Sequence, residues 1–583
     1  MILRKYFPPL LSVFIITCFL GFIAYFSTGI PQADDYPMMF QFLDKWDMAF
    51  SFRDKYTLLT EQFLDHRMLA MKLTVLSVKG IFGKMNINAV NAVGVVIWLS
   101  TVYILYRAFK ASGYTLLAFL PILLLTLHPG FGFDGLLWAA TWMAFPWVIF
   151  FCLTSFYCLV FHEKKIAFIL ALALSCFAMF SHGNGILCCL IGFMVLIAQK
   201  KYRLSGVWAG ISACCLLLFF YHYKSGGTSE TSPLINVIER PLYVIFSIGA
   251  FTGGSMYFPD IEVTDLSVNN LPAIIFGLLI SLLILSVAFY TFLVRSFFRD
   301  NYGSRFQTDK LLLFLSAIGI FIIATAVMIS CVRTSSEVLH GFAARYHFYS
   351  ALLISVTFML LTAFLPSRIS KAGYNLAAIF LGLTYCAGQY WYQTVEVADH
   401  VRIYEAGLYN SRNNGQWVLY KDARFWERGV NKYSNEHIWP HGSENYSFPK
   451  VQLIPEQVAG LIHPSMLSGD NHLNIVNGEN TISVWVKGSS FQIPAISDNV
   501  DGVYVNLVSK NKSFLYPLRP ERAGLRQFVK TGVYYKPDLK IHLQKKWFAP
   551  GIYRLNIFVR KNGKKWMLNT NRVVEIRQYP FEV

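Results

Sequence analysis

The sequence predicts a polytopic α-helical membrane protein that carries a soluble, mainly β domain at its C-terminal end. Three observations predict it. Of 583 residues, 55% are apolar and only 14% charged, a balance well outside that of soluble domains. Before residue 392, apolar runs recur at lengths close to the roughly 20 residues that a helix needs to cross a bilayer. Beyond 392 those runs stop and an alternation of period two appears.

The candidate spans, about eleven, lie at 8–28, 88–107, 114–127, 137–161, 166–181, 185–198, 204–222, 272–294, 311–331, 345–365 and 373–392. The first follows Arg4 and Lys5, has no convincing small-x-small cleavage site and is followed by further spans, so it reads as a signal-anchor. Basic residues gather in alternate loops: Arg4 and Lys5, Arg107 and Lys110, Lys164 and Lys165, Lys200 to Arg203, Arg295 to Lys310, and Arg368 and Lys371. The positive-inside rule makes those loops cytoplasmic. The N-terminus is then cytoplasmic, and segments 29–86, 128–136, 182–184, 223–271 and 332–344, with everything after 392, lie on the outer face. The runs at 114–127 and 185–198 are short for spans, and losing both together would leave this parity intact.

The net charge of +18 belongs to those loops and to lipid head groups rather than to nucleic acid. All ten cysteines lie in or beside apolar runs, without a CxxC pair, which argues against a disulfide scaffold or a zinc site. The domain reading is a membrane part at 1–392, a connector of irregular and short helical segments at 393–470, and a β-sandwich-like domain at 471–583. Strands are predicted at Thr481 to Val486, Val503 to Leu507 and Tyr553 to Val559, with turns at Asn477-Gly478, Asp501-Gly502, Pro550-Gly551 and Asn562-Gly563. Trp417, Trp426 and Trp439 punctuate the connector. In the last domain, Trp485, Trp547 and Trp566 would suit stacking on a glycan if exposed; packing support is the plainer role.

Polar residues concentrate in the outer segments. Asp34, Asp35 and Tyr36 follow the first span directly, and a carboxylate beside hydrocarbon and a like charge suits a proton acceptor or a metal ligand. Leu58 to Val78 has the apolar spacing of an amphipathic helix carrying Glu61, Asp65, His66 and Arg67, which could equally lie on head groups. Further outer residues are His128, Asp134, His182, Asn184, Arg333, Glu337, His340, Arg345 and His347. Any one histidine reads as readily as a hydrogen-bonded structural residue. Their collection on one face is what implies a shared polar cavity, since ionisable groups beside spans usually serve a pathway, a substrate or a partner. Arg345 opens an otherwise apolar helix, and a guanidinium matches phosphate oxygens bidentately; snorkelling to the interface is the alternative.

This pattern resembles the GT-C superfamily of membrane glycosyltransferases, bacterial branch. Asp34-Asp35-Tyr36 is similar to the family's acidic motif in kind and position. Glu61 to Arg67 resembles a His-Arg juxtamembrane segment, and Arg345-Tyr346 an Arg-Tyr pair near a late span. The likeness covers roughly 1–392. It implies transfer of a sugar from a polyprenyl-phosphate carrier to a glycan or glycolipid acceptor, such as O-antigen, lipopolysaccharide or another surface polysaccharide, on the periplasmic face of a bacterial inner membrane. Within it, Asp35 is assigned as general base, with Asp34 as alternative or orienting partner. Arg345, then Arg333 and Arg67, are assigned to the donor phosphate, and Glu61, His66, Tyr36, His128, His182 and Asn184 to substrate. No cofactor is assigned, and whether a divalent cation, Mg or Mn, joins Asp34 and Asp35 stays open. A transporter or flippase of envelope glycans is the main rival, although neither inverted repeats nor broken-helix signatures are present. A lipid A sugar transferase and an O-antigen ligase or polymerase are the alternatives among enzymes.

Overall fold

Apolar runs become helices here because a chain surrounded by lipid has no water to satisfy its N–H and C=O groups. The computed structural model describes residues 2–32, 34–224, 233–256, 270–294, 306–333, 340–364, 371–414, 473–478, 481–486, 502–510, 512–532, 535–545, 548, 550–561 and 564–577. Glu337, the three connector tryptophans, Trp547, Asp501 and the turn at Asn562 and Gly563 lie outside these, as do the side chains of His340 and Trp566. The chain divides into two compact units, Met1–Ser27 with Pro31–Thr394, and Thr28–Ile30 with Val395–Val583.

The first unit contains helices α1 (Ile2–Phe26), α2 (Gln41–Met48), α3 (Phe52–Thr60), α4 (Leu69–Phe82), α5 (Ile87–Ala111), α6 (Leu116–Thr126), α7 (Gly132–Leu136) and α8 (Ala139–Phe161). It continues with α9 (Lys165–Ser181), α10 (Ile186–Ala198), α11 (Tyr202–Phe220), α12 (Pro233–Glu239), α13 (Pro241–Gly253), α14 (Leu271–Phe289), α15 (Phe306–Arg333) and α16 (His347–Ala363). Helix α17 (Lys371–Asn414) follows, and the boundary between the units falls within it. Helix α8 is buried along most of its length and packs on α5, α9, α10 and α15, while α15 also packs on α13, α14 and α16.

Among the described residues, eight helical stretches are long and apolar enough to cross a membrane: Tyr6–Phe26, Ile87–Ala111, Leu116–Leu136, Ala139–Phe161, Tyr202–Phe220, Leu271–Leu293, Asp309–Arg333 and Ala344–Ala363. That is fewer than the eleven read from the sequence. The runs at 166–181 and 185–198 form the shorter apolar helices α9 and α10, and the run at 373–392 belongs to α17, which is not among the eight. Conversely, α13 lies within a segment read as an outer loop. Its 13 residues are too few to register as a span, and it packs on α14 through small residues: a Cβ on Gly277 would sit 2.2 Å from the Gly249 carbonyl oxygen, and one on Gly253 2.0 Å from that of Ala273.

A second correction concerns Leu58 to Val78, which is not one helix. Helix α3 ends at Thr60, Phe63 and His66 exchange backbone hydrogen bonds across a tight turn, Leu64 and Met68 adopt positive φ of 48° and 55°, and α4 begins at Leu69. Tertiary hydrogen bonds override the periodicity. Lys72 Nζ donates to the carbonyls of Leu58, Leu59 and Glu61 at 2.9, 3.2 and 2.5 Å, capping the C-terminal end of α3 with a cation from the next helix.

In the second unit, strands β1 (Leu473–Asn477), β2 (Thr481–Val486), β3 (Gly502–Val508), β4 (Ser513–Pro517), β5 (Arg519–Arg522), β6 (Tyr535–Gln544), β7 (Gly551–Lys561) and β8 (Lys564–Ile576) form two antiparallel sheets of order β1-β2-β6-β5 and β4-β3-β7-β8. Alternate residues of both sheets, including Val484, Leu543, Val505 and Ile557, share one core, the arrangement that period two dictates. The predicted strands are all present, and β1 and β2 pair directly across Asn477-Gly478, with Asn477 opposite Ile482. The C-terminal turns of α17 belong to this unit: Ala406 packs on Tyr504, Leu515 and Phe558, and the Asn410 amide pairs with both the N–H and the C=O of Leu515 at 2.7 and 2.9 Å. Trp485 is half-buried.

Candidate functional site

Four of the five segments read as outer, all but 128–136, contribute to the lining of one cavity of 510 Å³ in the first unit. Its polar lining is Asp34 after α1, Asp65 and His66 from the α3–α4 turn, Thr141 at the start of α8, His182 and Asn184 between α9 and α10, Tyr223 after α11, and Arg333 and Arg345 flanking the α15–α16 connection. The remaining wall is apolar and includes Phe145, Ile186, Phe219, Phe220, Met328, Ile329 and Val332. Phe220 and Met328 are exposed, at 53% and 40%.

The two neighbouring aspartates have separate positions. Asp35 is fully buried, and its oxygens accept the Gln32 N–H at 2.8 Å and the Ala140 N–H at 2.7 Å. The second bond closes the open N-terminus of α8, where Trp138 provides no side-chain cap, so Asp35 ties the first loop to that helix. Burial pushes its carboxyl up to about 8, against the pull of those two N–H groups. Asp34 instead lines the cavity, half-buried, and among the described residues no hydrogen bond or ion pair occupies its carboxylate. Burial raises its pKa, while the charges of Arg345 and Arg333 draw it partly back. Of the two carboxylates, Asp34 and not Asp35 lines the cavity.

Neither Arg333 nor Arg345 forms an ion pair among the described residues, and the Arg345 guanidinium lies 5.3 Å from the centre of the Tyr346 ring. Arg67, the third arginine assigned to phosphate, points elsewhere. It donates to the Thr60 carbonyl at 2.6 Å and to those of Phe219 and Tyr221 at 2.5 and 2.7 Å, closing the ends of α3 and α11. Glu61 pairs with Lys45 at 3.1 Å on the surface, and Tyr36 is buried with its hydroxyl on the Pro31 carbonyl. His128 is a cap: its Nδ1 accepts the Gly130 N–H at 2.9 Å and its Nε2 meets the Leu125 carbonyl at 3.0 Å. His347 likewise holds the Gly130 carbonyl, at 2.7 Å. Of the residues assigned to substrate, the cavity gathers His66, His182 and Asn184.

His66 and His182 stack with ring centroids 3.9 Å apart. The Gly183 N–H donates to His66 Nδ1 at 3.1 Å, and His182 Nδ1 meets Asn184 Oδ1 at 2.8 Å. Asn184 in turn donates to Thr325 Oγ1 at 3.1 Å and to the Tyr349 hydroxyl at 2.9 Å. Burial, then the charge of Arg333, pulls His66 down to about 4, so it is neutral near pH 7. Sequence reading missed Thr141 and Tyr223. Thr141 is 2% exposed, and its hydroxyl has no partner among the described residues. Its position in the first turn of α8, just past an outer segment, was the available signal. Tyr223 donates to Asp65 at 3.2 Å.

Among the described residues no group of three His, Cys, Asp or Glu could hold a metal ion. Compared with protein-family models, curated proteins and solved structures, the chain matches none.

Proposed function

We propose that the chain is a membrane glycosyltransferase that moves a sugar from a polyprenyl-phosphate carrier to a hydroxyl of a cell-envelope glycan or glycolipid. The observation that carries this reading is the cavity's make-up: the guanidiniums of Arg333 and Arg345, neither in an ion pair among the described residues, together with the carboxylates of Asp34 and Asp65, beside an apolar wall built largely from helices of membrane-spanning length. A phosphate ester of a long isoprenoid has the complementary make-up, an anion on an apolar tail. Arg345 and Arg333 bind the phosphate, and the tail lies along Phe219, Phe220 and Met328.

In the reaction, Asp34 accepts the proton of the acceptor hydroxyl as its oxygen attacks the anomeric carbon. The bond from that carbon to the phosphate oxygen breaks, its electron pair leaves with the phosphate, and the two guanidiniums balance the charge. A base so placed contributes about 10²- to 10⁴-fold, and fixed cations around the departing anion add to it. The leaving phosphate needs no proton, so no general acid is invoked. The reading puts the cavity on the periplasmic face of a bacterial inner membrane, with the N-terminus cytoplasmic and the β domain periplasmic, and gives α1 the role of anchor.

The test is complementation of a deletion strain, with mass spectrometry of its surface polysaccharide and lipid-linked sugars. Asp34→Asn is expected to leave protein level unchanged, abolish the sugar modification and let the polyprenyl-phosphate sugar accumulate. Asp35→Asn puts an amide N–H against a backbone donor and is expected to lower stability, by about 1–3 kcal/mol for the buried donor left unpaired, while surviving protein still transfers. Full modification with Asp34→Asn would remove the base from the mechanism.

A further inference from the structure

The stacked histidines in the cavity wall have proton positions that their neighbours dictate. Thr325 directs its own hydroxyl hydrogen to the Phe321 carbonyl at 2.8 Å, so towards Asn184 it only accepts, and the Asn184 amide nitrogen must face it. The amide oxygen is thereby turned to His182 Nδ1. An amide oxygen only accepts, so His182 carries its proton on Nδ1 and keeps a lone pair on Nε2. His66 is the mirror case. Its Nδ1 accepts from Gly183, leaving the proton on Nε2. Glycine at 183 permits this approach, since a Cβ there would sit 3.0 Å from His66 Nδ1. The two rings are tilted by only 24° and their centroids lie 3.9 Å apart, so the donor-bearing ring and the acceptor-bearing ring are stacked in one cavity wall.

We propose that the His66–His182 pair is the sugar-recognition subsite of this cavity, taking two adjacent ring hydroxyls of the carrier-linked hexose. His66 Nε2–H donates to one hydroxyl oxygen, and His182 Nε2 accepts the hydrogen of the next. The inference rests on the proposed function and extends it: the arginines hold what every carrier shares, the phosphate, and the histidines read what distinguishes one cargo from another. The neutrality of His66 preserves this polarity at physiological pH. Thr141, whose hydroxyl has no partner among the described residues, stands in the same lining as a further hydroxyl contact.

The test measures binding of undecaprenyl phosphate, bare or linked to glucose, galactose or mannose, to the full-length purified chain in nanodiscs. Wild type is expected to bind at least one hexose-linked lipid more tightly than bare undecaprenyl phosphate. His66→Phe and His182→Phe keep an aromatic stack but remove one polar contact each. Each is expected to cut that preference roughly tenfold, the scale of one neutral hydrogen bond, with affinity for bare undecaprenyl phosphate held within about twofold. Asn184→Leu, which frees the His182 proton to move, should lose part of the preference. An unchanged preference in both Phe variants overturns the subsite, and so does equal loss of bare and hexose-linked lipid in both, which would make the pair a packing element. Failure of wild type to bind undecaprenyl phosphate at all removes the glycosyl-transfer reading, and the subsite with it.

Discussion

Asp34 and Asp35 are adjacent in sequence and opposite in environment, and at the scale of single residues this separation governs the chemistry. A general base works only when deprotonated. Asp34 has a pKa raised by burial and partly restored by Arg345 and Arg333, so the acid limb of kcat/KM should lie above the ordinary carboxylate range, with activity lost as pH falls through it. Arg345→Gln removes one of the lowering charges and should move that limb to still higher pH. A profile of kcat/KM against pH for both proteins checks the sign, and a limb that stays in place would detach Arg345 from Asp34. In the proposed reaction Arg345 also holds the donor phosphate. Its planar fork can grip two phosphate oxygens, whereas lysine offers a point charge, so Arg345→Ala should weaken binding of undecaprenyl phosphate about ten- to a hundredfold and Arg345→Lys less. Equal, wild-type affinity in both variants would remove it from the phosphate site. Composition and order along the chain placed Asp34, as alternative to Asp35, and His66, His182, Asn184, Arg333 and Arg345 among the candidates, and all six line the cavity. Their neighbours Arg67, His128 and Tyr36 carry the same chemistry but turn to cap carbonyls and amides, and the partner a polar side chain finds is settled by tertiary packing, which periodicity does not encode.

At the scale of elements, long apolar runs were legible and short ones were not. Helices α5, α8, α14 and α15 meet the length a bilayer demands, and their hydrophobicity announces them. Helix α13 is held by close approach rather than by length, and its signal was the pairing of Gly249 and Gly253 with Gly277. Gly277→Ala should therefore lower the thermal midpoint of the detergent-solubilised protein, because the added Cβ meets backbone at 2.2 Å, whereas Gly210→Ala, with nothing within 4 Å, should leave it in place. Equal midpoints would mean that α13 and α14 need no such contact. The interrupted segment from α3 to α4 was misread for a related reason. Its apolar spacing fits one helix, yet Lys72 and Arg67 reach back to the carbonyls at the end of α3 and stabilise the break that carries Asp65 and His66 to the cavity. In the β domain, by contrast, alternation and an Asn-Gly turn are local signals that name their own structure, and the strands followed.

At the scale of the whole molecule, chain segments far apart in sequence bring the carboxylates of Asp34 and Asp65, two guanidiniums without an ion pair among the described residues, and an apolar wall to one cavity, which we propose receives a polyprenyl phosphate. Alternation of basic loops grouped those segments on one face before any packing was considered, because every other helix end must point the same way. Loop residues could be assigned to a side but not to a partner, which is why the separate positions of Asp34, in the cavity lining, and Asp35, on backbone N–H groups, emerged only from the fold. The most direct measurement is photolabelling of the purified chain in nanodiscs with a diazirine-bearing polyprenyl phosphate, the labelled peptides being mapped by mass spectrometry. Labelling is predicted on Phe219 and Phe220 and on Met328 to Val332, with competition by undecaprenyl phosphate but not by undecaprenol, and sharp loss in Arg345→Ala. Labelling confined to other helices, or blocked equally well by the alcohol that lacks the phosphate, would contradict it.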